Sequence, residues 1–168
     1  MPGIYVHIPF CSKACHYCDF HFSTSLNLVE NVINCIQIEL KKKQHLLSNK
    51  VIESIYFGGG TPSAIHHDYI FEILNTIKEN FNLGNNIECT IEMNPENVSS
   101  ELIKKYHNNG INRVSLGVQS FRDCDLLYMN RSHDGKQAFE SLEILNKSRI
   151  NNLNVDLIYG YPTLDDKS

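Results

Sequence analysis

The chain has 168 residues, of which 42% are hydrophobic and 20% are charged, and its formal net charge is −4. This composition predicts a folded domain with a buried core and excludes a disordered chain. Because Lys and Arg are scattered, no nucleic-acid partner is expected. No apolar run approaches the roughly 18 residues of a membrane span, and the N-terminus shows no secretion signal, so we expect a cytoplasmic protein without a membrane span.

The predicted elements alternate between strands and helices along the whole chain. The strands are predicted at Ile4–Ile8, Ser54–Phe57, Ile87–Met93, Arg113–Val118 and Leu153–Tyr159. Apolar residues at helical spacing lie between them, in the segments 29–40, 70–81, 102–106 and 139–145. Ser99 or Ser100 is expected to cap the third helix, and Asn109-Gly110 is expected to end it.

This alternation predicts parallel strands joined by right-handed crossovers. Both a doubly wound open sheet and a complete or partial β/α barrel satisfy it. Unusual residues gather just after the strands, at the edge where a parallel barrel places its active site. The chain ends soon after the fifth strand. We therefore expect one domain over residues 1–168 that is the N-terminal part of a longer barrel.

Three of the six cysteines lie close together near the N-terminus. Cys11, Cys15 and Cys18 have the spacing C-x3-C-x2-C, which lets one loop present three thiolates to a small inorganic core, as in iron–sulfur proteins. The main alternative is a zinc ion with Cys3His ligation. Its fourth ligand would be His7, His16 or His21. A disulfide with a spare thiol is disfavoured by the missing secretion signal.

The other three cysteines are far apart in the sequence, in apolar surroundings. Free cysteine packs as a small apolar side chain. Cys35, Cys89 and Cys124 are therefore predicted to be buried, unreactive thiols.

Glycines and isolated polar residues mark further positions after the strands. The run 58–62, Gly-Gly-Gly-Thr-Pro, follows the second strand, and it suits either a plain turn or a close approach of a ligand to the backbone. Glu92, Gln119 and Asp156 lie on or beside apolar strands, where a buried polar group needs a partner. They either bond to neighbouring backbone or converge on a polar ligand.

A longer pattern includes these residues. The first cysteine ends the run Tyr5-Val6-His7-Ile8-Pro9-Phe10-Cys11, and the stretches 91–95, 117–121, 130–131 and 155–162 follow in order. With the two further cysteines, this series resembles the oxygen-independent coproporphyrinogen oxidase family of radical S-adenosylmethionine enzymes, which also contains haem chaperones. The resemblance covers essentially the whole chain. It implies a partial parallel β/α (TIM-like) barrel, and the family's C-terminal domain is expected to be absent from this chain.

The resemblance also implies the cofactors and their ligands. Cys11, Cys15 and Cys18 would hold a 4Fe-4S cluster, whose open iron chelates S-adenosylmethionine. An electron from the reduced cluster would then cleave that cofactor to a 5'-deoxyadenosyl radical. Carried over by position, the contacts to S-adenosylmethionine would be Tyr5, Tyr17, Gly59, Gly60, Thr61, Glu92, Gln119, Arg131 and Asp156.

One departure from the oxidase pattern favours the chaperone branch. The oxidases carry a further cysteine two residues after the third one, where this chain has Phe20. The favoured function is therefore to bind haem and transfer it to haem-accepting proteins, with a reductant protein such as a flavodoxin as a further partner. The alternatives are oxidative decarboxylation of coproporphyrinogen III and a zinc-stabilised binding module.

Overall fold

The computed structural model describes residues 2–162 and contains a five-stranded parallel sheet with the spatial order β1-β2-β3-β4-β5. The strands are β1 Gly3–Ile8, β2 Ile52–Gly59, β3 Leu83–Met93, β4 Arg113–Gln119 and β5 Asn152–Leu157. The helices are α1 Val29–Lys43, α2 His67–Asn80, α3 Ser100–Asn109, α4 Asp123–Tyr128 and α5 Gly135–Asn146. A doubly wound sheet reverses its strand order at a switch point. The sequential order found here is that of a partial β/α barrel.

The hydrophobic core lies between the sheet and the helices. Four strand residues are fully buried and form one cluster with the apolar side of α2: Ile8, Phe57, Ile91 and Leu116. Strand residues alternate between the two sides of a sheet, so every second position on each strand faces this core. Among residues 2–162, none of the helices combines the length and the apolar character needed to cross a membrane.

The opposite side of the sheet, which faces the inside of the barrel, is polar. Pairing between neighbouring strands aligns one row across all five strands: Tyr5, Tyr56, Thr90, Arg113 and Asn152. The next row toward the strand C-termini contains His7, Gly58, Glu92, Ser115 and Asn154. Each strand therefore presents apolar residues to the helices and polar residues to the interior.

The ends of α3 confirm the prediction made for them. The Ser99 hydroxyl accepts a hydrogen bond from Leu102 N at 3.2 Å, so Ser99 rather than Ser100 is the cap. Gly110 follows the helix with φ 101°, a left-handed conformation that favours glycine.

Three expectations were wrong. The fifth strand ends at Leu157 rather than Tyr159. Its pairing with β4 shifts register before Gln119, and the chain then turns at Gly160, where φ is 84°. Cys35 is exposed, because it points away from the sheet on α1, where Ile33 faces the core. Cys124 is exposed near the start of α4, a helix that was not predicted, whereas Cys89 is buried as expected.

Candidate functional site

The cysteine loop begins where β1 ends and is closed by its own backbone. Phe10 forms an isolated bridge with Ser23, and Cys11 N donates to Ser23 O at 3.0 Å. Within the loop, Cys18 N donates to Cys15 O at 3.2 Å. The three thiols are therefore presented by one closed loop at the C-terminal edge of the sheet.

A second set of contacts ties the cysteine loop to the segment that follows α4. His16 N donates to Met129 O at 3.1 Å, and the Asn130 side chain donates to Ala14 O at 2.7 Å. Asn130 has φ 60°, a left-handed conformation that asparagine tolerates better than most residues. The loop is thus attached to β1 by sequence and to the segment after α4 by hydrogen bonds.

The spread of the thiols discriminates between a single ion and a larger core. Two thiolates of a tetrahedral zinc site lie about 3.8 Å apart, given Zn–S bonds near 2.3 Å. Within residues 2–162, the ligand atoms of His66, His67 and Asp68 all lie within 4.8 Å of one another. The three sulfur atoms of the cysteine loop do not meet this condition. The three thiols are thus not all as close together as the ligands of one tetrahedral zinc ion would be.

Cys11 is the most enclosed of the three thiols. Burial raises the pKa of its thiol, and the Thr61 hydroxyl, 3.6 Å from Cys11 Sγ, acts in the opposite direction. Gly60 leaves room for this arrangement, since a Cβ there would lie 2.6 Å from Phe10 O and 2.9 Å from Cys11 Sγ. Gly60, directly after β2, is therefore required for close packing against the cysteine loop.

Arg131 connects the cysteine loop to the interior of the barrel. Its Nη1 lies 3.3 Å from Cys15 Sγ and 3.2 Å from Tyr17 Oη. Its Nη2 donates to Asn94 Oδ1 at 2.8 Å and to Gly117 O at 2.7 Å. Its Nε is buried and has no hydrogen-bond partner among the described residues. The guanidinium places a positive charge directly beside the thiols.

Behind Arg131 lies a buried acidic and imidazole pair. Asn94 Nδ2 donates to Glu96 Oε1 at 3.2 Å, and Glu96 Oε2 lies 3.4 Å from His133 Nδ1. The other ring nitrogen of His133 lies 3.0 Å from Val118 O. Burial raises the pKa of the Glu96 carboxyl, but His133, a backbone hydrogen bond and Arg131 together outweigh it and bring that pKa below its ordinary value.

Glu92 is held on the interior side of β3. Tyr56 Oη donates to Glu92 Oε1 at 2.8 Å, and Gly59 N donates to Glu92 Oε2 at 3.2 Å. Burial raises the pKa of the Glu92 carboxyl, an effect that these two hydrogen bonds oppose and that the nearby Asp156 reinforces. The carboxyl is therefore oriented by two neutral donors.

Asp156 is held in the same manner on β5. Ser115 Oγ donates to Asp156 Oδ2 at 3.1 Å, and Asn154 Nδ2 donates to Asp156 Oδ1 at 2.7 Å. Gln119, at the end of β4, has φ 67° and lies at the register shift in the pairing of β4 with β5. Both carboxyl groups of the interior thus have both oxygens occupied by protein donors.

These residues surround a cavity of about 200 Å³ between the cysteine loop and the sheet. The predicted residues that line it are Cys11, Cys15, Cys18, Tyr17, Gly59, Gly60, Thr61, Glu92, Gln119, Arg131 and Asp156. Tyr5 is the exception: it is 58% exposed, its ring stacks on Tyr56, and its hydroxyl lies 3.2 Å from His7 Nδ1. Tyr5 therefore adjoins the cavity wall rather than the cavity.

Several residues around the cavity were not predicted. Asn94, Ser115 and Gly117 line it, and Tyr56 supports Glu92 from below. Strand alternation offered a signal for two of them, because Ser115 and Gly117 share the interior side of β4 with Gln119. The signal for Tyr56 was absent, since nothing in the sequence pairs it with Glu92.

Comparison with known families decides the class of this site. The model of the radical SAM superfamily matches residues 5–168. The chain belongs to that superfamily. Membership implies a 4Fe-4S cluster and S-adenosylmethionine as cofactors, and it accounts for three thiols in one loop at the rim of a β/α barrel.

Two curated relatives with different names illustrate the branches of the family. The chain is 38% identical over 162 residues to a heme chaperone HemW of Buchnera aphidicola, with 95% of this chain and 43% of that protein covered. It is 28% identical over 162 residues to an oxygen-independent coproporphyrinogen III oxidase of Salmonella typhimurium, with 95% and 35% covered. The chain thus spans less than half the length of these relatives.

A solved radical SAM structure shares the fold. The coproporphyrinogen III oxidase HemN of Escherichia coli superimposes with a TM-score of 0.89 at 28% identity, over 97% of this chain and 38% of that one. This similarity confirms the expected fold, an α/β partial parallel barrel.

The residues at the site fit the cofactors of the superfamily. The thiols are spread more widely than one ion requires, and thiolates are the usual ligands of iron–sulfur clusters. The buried Arg131 Nε leaves one donor beside them without a partner among residues 2–162. A cationic donor at this position suits an anionic group of a bound molecule.

Proposed function

We propose that this chain forms the cofactor-binding part of a radical S-adenosylmethionine haem chaperone. The observation that carries the choice of branch is Phe20, which occupies the position of a further cysteine in the oxidase pattern. Phe20 lines the cavity beside the cysteine loop, and its side chain is 73% exposed. A phenyl ring cannot act as a thiol, so the oxidase's fourth cysteine has no equivalent at this position.

Cys11, Cys15 and Cys18 would hold three irons of a 4Fe-4S cluster, with the fourth iron left for S-adenosylmethionine. When bound and reduced, such a cluster supplies an electron for reductive cleavage of that cofactor. The protein contributes the closed loop that presents the thiols and the Arg131 cation 3.3 Å from Cys15 Sγ. Hydrogen bonds and positive charge at cluster sulfurs favour the reduced, more negative state.

The remaining cavity residues would bind S-adenosylmethionine. Gly59, Gly60 and Thr61 line the cavity and allow a close approach to the backbone after β2. Glu92 and Asp156 offer acceptors to ammonium or hydroxyl groups, and the Arg131 cation suits a carboxylate. Tyr17 and Gln119 complete the wall. Tyr5 stays a predicted contact.

As a chaperone, the whole protein would bind haem and transfer it to haem-accepting proteins in the cytoplasm. Haem is cargo in this scheme, and a small reductant protein such as a flavodoxin would reduce the cluster. The 38% identity to a protein named heme chaperone HemW supports this branch over the oxidase branch, where the identity is 28%.

The second candidate is oxygen-independent coproporphyrinogen III oxidation. The chain shares its fold with an oxidase of that kind, HemN, at a TM-score of 0.89 and 28% identity. The third candidate, a zinc-stabilised module, is disfavoured by the spread of the thiols.

Anaerobic reconstitution with iron and sulfide tests the cluster. The wild-type protein should become brown, with charge-transfer absorption and about four irons per chain, as a cubane requires. Cys15→Ala should lose that absorption, whereas Cys35→Ala, which removes an exposed thiol from α1, should keep it. A colourless protein with stoichiometric zinc would contradict the proposal.

The branch is tested with full-length protein incubated anaerobically with coproporphyrinogen III, S-adenosylmethionine and a reductant. The chaperone proposal expects no protoporphyrinogen, and it expects stable haem uptake followed by transfer to an apo-haemoprotein. Protoporphyrinogen formation would identify the oxidase instead. Failure of both reactions by a protein with an intact cluster would overturn both candidates.

A further inference from the structure

Tyr56 is a half-buried polar residue that the proposed cofactor contacts do not include. It lies on the interior side of β2, and its hydroxyl donates to Glu92 Oε1 at 2.8 Å. Its ring stacks on Tyr5 with centroids 5.9 Å apart, which fixes the direction of the hydroxyl. The pair is packed closely over Gly58, where a Cβ would lie 2.9 Å from both Glu92 Oε1 and Tyr56 Cε1.

Glu92 needs such a donor because its surroundings disfavour its negative charge. Burial and the neighbouring Asp156 both raise the pKa of the Glu92 carboxyl. The Tyr56 hydroxyl and the Gly59 amide act against them by stabilising the ionised form. Tyr56 itself remains a donor, because burial and Glu92 raise the pKa of its phenol to about 12.

We propose that Tyr56 is a positioning residue, whose hydroxyl holds the Glu92 carboxylate in one orientation and in the ionised form that accepts donor groups of S-adenosylmethionine. Each carboxylate oxygen of Glu92 then accepts a hydrogen bond from β2, one from the Tyr56 side chain and the other from the Gly59 backbone. The part that concerns S-adenosylmethionine rests on the proposed function. The part that concerns Glu92 rests on the two hydrogen bonds to its carboxylate and on their effect on its pKa.

Other charged and titratable groups face this pair from three strands. His7 and Tyr5 lie on β1, and Asp156 lies on β5. Arg113 on β4 approaches Tyr56 and favours its ionised form weakly. Of these groups, Asp156 opposes a negative charge on Glu92, while His7 supports it. The experiment therefore follows Glu92 directly instead of inferring its state from the protein as a whole.

The first measurement is the titration of Glu92 by carbon NMR in protein labelled at the glutamate carboxyl carbon. The Glu92 signal is assigned by its loss in Glu92→Gln. In Tyr56→Phe we expect its midpoint to move up by about one pH unit, a tenfold change, because a hydrogen bond to the charged form is lost. Tyr106→Phe is the matched control, since it removes a buried phenol hydroxyl without a partner among residues 2–162, far from the site in α3.

The second measurement is the affinity of the reconstituted protein for S-adenosylmethionine as a function of pH. Wild type and Tyr56→Phe are each measured with and without His7→Gln, which removes the imidazole that supports a negative charge on Glu92. Tyr56→Phe should bind about tenfold more weakly below the Glu92 midpoint and within about twofold of wild type well above it. An unchanged Glu92 titration would overturn the positioning role, and so would an affinity of Tyr56→Phe that equals that of wild type at every pH. If wild type fails to bind S-adenosylmethionine while the NMR shift is present, the proposed function fails and the positioning of Glu92 stands.

Discussion

The side of the sheet that meets the helices and the side that lines the barrel interior are built from opposite kinds of residue. On β3, Ile91 is 0% exposed in the core, while the next residue, Glu92, points inward and accepts two hydrogen bonds. On β4, Leu116 and Ser115 show the same contrast. In most β/α barrels the interior is filled by bulky branched side chains such as Val, Ile and Leu.

This contrast divides the work of each strand between stability and binding. Burial of apolar area on the helix side drives folding, because the hydrophobic effect scales with the apolar area removed from water. The interior gains little from burial, and its polar groups are instead fixed by hydrogen bonds that orient Glu92 and Asp156. Substitutions on the two sides should therefore have different effects even where the residues are neighbours in sequence.

The largest expected effect comes from the core side. Phe57→Ala should destabilise the protein by about 3–5 kcal/mol, because a fully buried aromatic ring is replaced by a cavity. Urea unfolding measures the free energy of unfolding. The control is Phe20→Ala, which removes an aromatic ring that is 73% exposed and should change that free energy by less than about 0.5 kcal/mol. Equal losses in the two variants would contradict the role of apolar burial on the core side of the sheet.

Most of the fold followed from the sequence, because strand alternation and helical spacing are local patterns. The five strands and the parallel order were predicted, and the polar residues after the strands came together at one edge. What local pattern could not supply was the direction of single side chains on helices. Cys35 and Cys124 lie among apolar residues in sequence and are nevertheless exposed.

The residues that support the site were also out of reach, for a different reason. The Tyr56 hydroxyl meets Glu92 across a strand pair, and His133 meets Glu96 from a segment that follows β4. Such pairs are set by tertiary contacts between segments distant in sequence. The predicted cavity residues came instead from the family resemblance, which Gly59, Gly60 and Gln119 supported by their positions just after predicted strands.

The Glu96 and His133 pair is polar but lies outside the barrel interior. It therefore tests whether polar contacts outside the interior also contribute to stability. Glu96→Gln should lower the free energy of unfolding at pH 7 by about 1–3 kcal/mol, because a buried hydrogen-bonding charge is lost. The pKa of Glu96 in the folded protein is below its ordinary value, so its contribution is full above about pH 4.5 and is lost as pH falls through the folded value. The difference between variant and wild type should therefore shrink below about pH 4.

A matched control for this pair is Glu101→Gln, at an exposed carboxyl on α3 paired with Lys105. Its pKa is lowered by Lys105, but solvent screens the pair, so no measurable change in stability is expected. Denaturant unfolding from pH 3 to pH 8 measures both variants. A pH-independent loss in Glu96→Gln would show that shape, and not charge, is what the buried pair contributes.

The smallest expected effect lies at the edge of the helical layer, where stability depends on one hydrogen bond. Ser99→Ala should cost about 1 kcal/mol, because the Leu102 amide at the start of α3 loses its side-chain acceptor. Ser100→Ala is a demanding control, since it makes the same chemical change one residue later, inside the helix. Thermal unfolding followed by circular dichroism should separate the two variants by a few degrees. If the two variants unfold at the same temperature, apolar packing alone holds α3 against the sheet. The contrast between the core side and the hydrogen-bonded interior would then be sharper.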